Sequence, residues 1–234
     1  MPLAAVFLDL SNTLLRERRQ RAELYAEVAG GFGLELAPDE MAARMARAHA
    51  ELPRELRGAF RYSDDCFRAF QRRVFSAEDL AAERFAALSE ALFARFEDPR
   101  TFVLYPGARE LLRGLRAAGL RLGLISNWSA RLPRLLRALE LDLAFDFVLG
   151  SAEARCEKPE PAIFRLALER AGSSPERCLH AGDDPAKDAA GALSCGIAAA
   201  LVDHQRGLGA SERALCPVVE SLGELEELIL ERAA

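Results

Sequence analysis

The sequence predicts an α/β fold: a three-layer core built on a Rossmann-like parallel sheet, interrupted early by an all-helical insertion. Three observations predict it. Five short apolar runs lack the polar alternation of a half-exposed strand and are separated by helical patterns. A long stretch near the start carries helical periodicity alone. The strand-like runs are followed by small polar or charged residues, which is how the ligand-binding edge of an open parallel sheet reads.

In chain order, residues 4–10 (AAVFLDL) form the first buried strand. Residues 15–100 have no strand-like run. Leu24, Val28 and Phe32, and later Phe67, Phe70, Val74, Phe85, Leu88 and Leu92, recur at helical spacing. The chain therefore divides into a core of residues 1–14 and 101–234 and a helical insertion of residues 15–100. After the turn at Tyr105-Pro106-Gly107, residues 108–118 read as a helix and 121–126 (RLGLIS) as the second strand. Helical patterns at 132–139, 161–171 and 185–195 alternate with strands at 147–150 (FVLG), 178–182 (CLHAG) and 197–202 (IAAALV). Pro161 suits a first helical turn, where its missing N–H costs little. Residues 221–232 (SLGELEELILER) close the chain as an amphipathic helix. An insertion after the first strand is suited to be a lid over the ligand-binding edge.

With 50% hydrophobic and 29% charged residues, a packed core is feasible and disorder is not expected. The net charge of −5 argues against a nucleic-acid partner. No apolar run reaches the ~20 residues of a membrane span, and MPLAAVFLDL lacks the basic start of a signal peptide. The five cysteines are scattered without a C-x-x-C pair, as expected of reduced thiols in a cytoplasmic protein. The sequence does not address oligomeric state.

The strand ends carry the chemistry. Asp9, Ser11, Asn12 and Thr13 follow the first strand, and Ser126 and Asn127 end the second. Lys158 follows the third, and Asp183, Asp184, Lys187 and Asp188 follow the fourth. Only two of the 31 basic Lys and Arg residues are lysines, and only two asparagines occur; all four belong to this set. Carboxylates gathered at one point repel unless a cation lies among them, and a hard divalent ion such as Mg²⁺ is the simplest one. A carboxylate can attack phosphorus, and a lysine can neutralise the charge that builds there. Each residue also has a plainer reading: Asp9 or Asn127 as a cap, Lys158, Lys187 and Asp188 at the surface, and His180 as a core histidine. Trp128 fits the pocket wall or loop packing. Arg16, Arg18, Arg19 and Arg21 form a solvated helix face or supply one contact to an anionic substrate.

The stretches DLSNT, LISN, KPEPAIF and GDDPAKDAAGA, in this order and spacing, resemble the four motifs of the haloacid dehalogenase superfamily, and the insertion resembles its small helical cap. The resemblance spans essentially the whole chain. It implies Asp9 as nucleophile and metal ligand, with the backbone carbonyl of Ser11 as a second ligand. It further implies Ser126 as phosphate contact, Lys158 as charge stabiliser, Asp183 as metal ligand, and Asp188 as support for the metal site or for Lys158. Thr13 and Asn127 join Ser126 as expected substrate contacts, with Mg²⁺ as cofactor and a small phosphorylated metabolite as substrate.

The sequence departs from the family's phosphatases at one place. They carry D-x-D-x-T, whose second acid protonates the leaving oxygen and then activates water. Ser11 stands there, and a hydroxyl is far too weak an acid for that work. Three readings remain: a phosphatase or phosphotransferase limited to good leaving groups, a 2-haloacid dehalogenase-like hydrolase, and a catalytically impaired member that binds a phosphorylated ligand or a protein.

Overall fold

The computed structural model describes residues 1–53, 55, 56, 59–78 and 80–233. The strands are β1 (Ala5–Leu8), β2 (Leu15–Glu17), β3 (Glu55–Leu56), β4 (Ala59–Phe60), β5 (Phe102–Leu104), β6 (Arg121–Ser126), β7 (Phe147–Gly150), β8 (Cys178–Gly182), β9 (Ala198–Val202) and β10 (Val218–Val219). Packing divides the chain into two compact units. One comprises Met1–Arg16, Leu104–Trp128 and Glu140–Ala234, the other Glu17–Val103 and Ser129–Leu139.

The first unit holds a six-stranded sheet in the order β10-β9-β8-β1-β6-β7. Every pairing in it is parallel. The central strands read as unbroken apolar runs because both faces of the sheet are covered: all of β1 and β8 is buried. Ala5 and Phe7 join a cluster with Ile125, Phe147, Ile163, Phe164, Ala192 and Leu201. This cluster draws on the helix Pro161–Ala171, whose proline does occupy the first turn. Val6 and Leu8 alternate to the opposite face and are equally buried. The helices Ala108–Ala117 and Leu222–Ala233 pack against each other, and they contact β6 and β9 respectively. Burial of each large apolar side chain here contributes roughly 1.5–3 kcal/mol.

The structure refines the sequence reading in three places. A sixth strand, β10, extends the sheet; at two residues it is too short to show a period. The helix expected over 185–195 is present but opens as a π-helix, Pro185–Ala190, before the short α-helix Gly191–Leu193. The insertion, expected to be all-helical, contains the small antiparallel hairpin β3–β4, while β2 and β5 pair with each other.

The second unit is a helical bundle of Arg21–Gly30, Pro38–Glu51, Asp64–Val74, Ala82–Glu97 and Leu132–Ala138. Its core gathers Tyr25, Ala29, Met41, Val74, Phe75, Leu88 and Leu92. Ser63 caps the third helix by accepting the Cys66 N–H at 3.3 Å. Among the described residues, no helix is long and apolar enough to cross a membrane.

Arg131 ties this bundle together. Its guanidinium donates to Asp64 Oδ2 at 2.7 and 3.0 Å and to Glu97 Oε1 at 2.6 Å, and it lies 4.0 Å from the centre of the Phe93 ring. Replacing it takes the donor from Asp64 and the nearer of two arginines from Glu97 at once. Arg131→Met is expected to lower the free energy of unfolding by about 1–3 kcal/mol. Urea titration checks this, and a loss under about 0.5 kcal/mol would mean that water replaces the arginine at no cost.

Candidate active site

The sheet order changes direction at its middle. From β1 the chain reaches β6 and β7 on one side, then returns to β8 on the other and continues outward to β9 and β10. In open parallel sheets the crevice beyond the strand ends at such a reversal is where ligands bind. Asp9 leaves β1 there, with its N–H on Ala181 O at 2.9 Å. Ser126 ends β6 and Asp183 follows β8, so the three stand on neighbouring strand ends. Lys158 comes from the loop before the helix Pro161–Ala171, and Asp188 from the π-helix Pro185–Ala190.

Lys158 is the hub. Its Nζ donates to Asp9 Oδ1 and to Asp188 Oδ1, both at 2.5 Å, and only 3% of the residue is exposed. Ser126 Oγ donates to Asp9 Oδ1 and Thr13 Oγ1 to Asp9 Oδ2, each at 3.2 Å. Burial alone would discharge the lysine, but Asp188 and Asp9 outweigh it and raise its pKa. Burial also opposes ionisation of Asp188; Lys158 and His180 overcome it and hold Asp188 well below the usual carboxylate range. Asp9 is raised, by burial first, despite the lysine. Asp183 is pushed up to about 7 by burial and by its neighbours Asp9 and Asp188.

These shifts describe a site short of positive charge. One oxygen each of Asp9, Asp183 and Asp188 lies within 4.8 Å of the others, with a single lysine among them. An all-oxygen donor set of this kind fits a hard divalent cation such as Mg²⁺. Asp188 is the most committed of the three: its Oδ1 takes Lys158 and His180, and its Oδ2 takes the Asp184 N–H at 3.0 Å.

Gly182 makes the approach of Asp188 to β8 possible. A Cβ on Gly182 would lie 2.1 Å from the Asp188 carboxyl carbon. Asn12 adopts a left-handed backbone conformation (φ 58°), which asparagine tolerates better than most residues, and its side chain hydrogen-bonds Asp183.

The structure assigns other partners to several expected contacts. Thr13 is wholly buried and its hydroxyl holds Asp9. Asn127 grips the backbone of Lys158: its Nδ2 donates to Lys158 O at 3.0 Å and its Oδ1 accepts the Lys158 N–H at 2.8 Å. Ser151 Oγ donates to the same Oδ1 at 2.8 Å. Ser11 is half-buried and its backbone bridges to Leu15. Asp184 caps the π-helix by accepting the N–H groups of Ala186 and Lys187, and it pairs with the Lys187 ammonium, so both serve the start of that helix. Arg19 pairs with Glu23 and Glu27, and Arg21 with Glu17.

Sequence reasoning missed Ser151 and the contacts of His180 and His204. Ser151 is one serine among many, and nothing local marks it. His180, read as a core histidine, is buried as expected but bonds Asp188 at 2.8 Å. His204 stacks on Tyr105 with ring centres 3.6 Å apart, and its Nε2 lies 3.0 Å from Thr13 O, which steadies the loop after Asp9.

Comparison with known proteins bears on this geometry. Residues 3–196 match the family described as haloacid dehalogenase-like hydrolase. The chain is 33% identical over 230 residues to haloacid dehalogenase-like hydrolase domain-containing protein 3 of Mus musculus, covering 94% of this chain and 90% of the relative. It is 37% identical over 169 residues to a phosphoserine phosphatase of Thermus thermophilus, covering 70% and 66%. The crystal structure of a HAD phosphatase from Thermococcus onnurineus superposes with a TM-score of 0.72 at 23% identity, over 99% of this chain and 100% of that one. At that identity the last likeness speaks for the fold alone.

The raised Asp183 carboxyl sets a pH dependence. It keeps its proton to about pH 7 in the fold but loses it near 3.8 when unfolded. The folded state therefore binds the extra proton across that window, and in EDTA its contribution to stability falls as pH rises from about 4 to 7. Thermal unfolding of wild type and Asp183→Asn at pH 5 and 7.5 should show the wild type losing ground to the variant at the higher pH. Mg²⁺ should recover the wild type and leave Asp183→Asn nearly unmoved.

Proposed function

Because the chain belongs to the haloacid dehalogenase-like hydrolase family, we propose that it is a Mg²⁺-dependent phosphohydrolase that uses Asp9 as nucleophile and acts on small phosphorylated substrates with good leaving groups. The observation that carries this reading is the buried Asp9–Lys158–Asp188 chain beside Asp183. The Thermus relative, named a phosphoserine phosphatase, supports the phosphatase class.

Asp9 and Asp183 would hold the metal, with Asp188 behind them because its oxygens are engaged by Lys158, His180 and the Asp184 N–H. The carbonyl of Ser11 completes the expected protein ligands. When bound, Mg²⁺ neutralises negative charge on the carboxylates and on the phosphoryl oxygens.

An Asp9 oxygen attacks phosphorus, forming the aspartyl O–P bond as the P–O bond to the leaving group breaks. Lys158 sits on Asp9 and screens charge at the reacting centre; Asn127 keeps the lysine's backbone in place. Ser126 lies within reach of the same centre and can turn its hydroxyl to a phosphoryl oxygen. Water then attacks phosphorus, the aspartyl O–P bond breaks, and Asp9 and phosphate are regenerated. With Ser11 at the acid's position, the leaving oxygen departs without a proton. An acyl or aryl phosphate tolerates this and an alkyl phosphate does not. A carboxylic acid there is worth about 10²–10⁴-fold in rate. The helical unit, in this reading, is the cap that selects the substrate and keeps water out.

A metal-free dehalogenase is the second reading, since a halide also leaves without a proton. The charge deficit around Asp183 disfavours it: without a metal, Asp9 would serve as nucleophile and Asp188 as the lysine's partner, and Asp183 alone would lack a counter-charge.

Hydrolysis of p-nitrophenyl phosphate should require Mg²⁺, stop in EDTA and vanish in Asp9→Asn. Acetyl phosphate should be cleaved at least about 10²-fold faster than an alkyl phosphate, and Ser11→Asp should narrow that gap. Halide release from 2-chloropropionate in EDTA would replace this reading with the dehalogenase one. Lys158→Met should lower kcat by about 10²–10³-fold.

A further inference from the structure

His180 lies mid-strand in β8, between Phe7 of β1 and Ala199 of β9, and is wholly buried. Its ring meets Phe164 edge-on at 5.4 Å. Its Nε2 is 2.8 Å from Asp188 Oδ1, the same oxygen that accepts Lys158 Nζ. Its Nδ1 is buried with no hydrogen-bond partner. Packing alone explains none of the polar half of this description. An apolar side chain would fill the space beside Phe164 without a stranded nitrogen, whose burial costs about 1–3 kcal/mol.

The contact with Asp188 fixes the tautomer. An ionised carboxylate only accepts hydrogen bonds, so the proton sits on Nε2. A carboxylate's last torsion is broad and would otherwise let the group swivel. His180 on Oδ1 and the Asp184 N–H on Oδ2 hold its two ends. The oxygen that receives Lys158 is thereby kept in one place.

We infer that His180 is a positioning residue: its Nε2–H fixes Asp188 Oδ1, and Asp188 in turn keeps the Lys158 ammonium on the nucleophile Asp9. Its consequence for turnover rests on the phosphohydrolase reading; its consequence for Lys158 does not. Groups placed behind the ligands and charged residues of a site typically change activity or metal affinity 10–100-fold when removed.

The two-lysine composition makes the test direct. With lysine labelled at Cε, the NMR spectrum holds two side-chain signals, one from buried Lys158 and one from half-exposed Lys187. His180→Phe keeps the aromatic bulk and removes the donor; His180→Gln restores an N–H at similar reach. The Phe variant should shift or broaden the Lys158 signal, leave Lys187 in place, and lower kcat on p-nitrophenyl phosphate about 10–100-fold with KM within about twofold. The Gln variant should recover the Lys158 signal and most of kcat. An unmoved Lys158 signal in the Phe variant overturns the inference. If the Phe variant fails to fold, a folded Gln variant with a displaced Lys158 signal overturns it, and one with a native signal supports it. A wild type silent on p-nitrophenyl phosphate counts against the reaction, while the Lys158 signals still decide the role of His180.

Discussion

A lysine ammonium buried between two carboxylates governs the architecture around it. Lys158 can stay charged there only because Asp9 and Asp188 face it, and those acids can be buried only because it faces them. Much of the local structure serves that mutual dependence. Gly182 lets Asp188 approach the strand, Asn127 clamps the lysine's backbone, and Thr13 and Ser126 supply hydroxyls to Asp9. Removing any one of these shifts a charge whose alternative is an unpaired ion in the protein interior.

The lysine leaves one carboxyl, Asp183, unbalanced. Asp183 keeps its proton to about neutrality when no cation is near, and a divalent ion, if bound there, would relieve that imbalance. The departure at Ser11 does not touch this balance. In the proposed reading it removes a proton donor and leaves Asp9, Lys158 and the carboxylates expected to hold the metal in place. In that reading nucleophilic power and leaving-group assistance are separated, and the substrate has to make up for the second.

The fold was largely legible because its signals are local. An unbroken apolar run in β1, β6 or β8 follows from burial on both faces, and Pro161 marked a helix start wherever that helix packed. The short strand β10, the hairpin β3–β4 and the π form of the helix at Pro185–Ala190 were not legible. Two-residue strands carry no period, and the π-helix is shaped by Asp184, which caps it by collecting N–H groups two and three residues on, and by Asp188, which faces Lys158.

The candidate site divides along the same line. By itself the sequence determined which residue types stand after each strand, and the rarity of lysine and asparagine marked Lys158, Asn12 and Asn127. Those features are properties of position and composition, so one chain read from end to end contains them. Only the tertiary structure decided how the residues pair. Asn127 turned to the backbone of Lys158, Thr13 to Asp9, and His180 to Asp188 across eight residues of chain. The Thr13 and His180 pairings are made within one stretch of chain, whereas those of Lys158 depend on the order of strands in the sheet, which sets β8, β1, β6 and β7 side by side and brings Lys158 to Asp9 and Asn127.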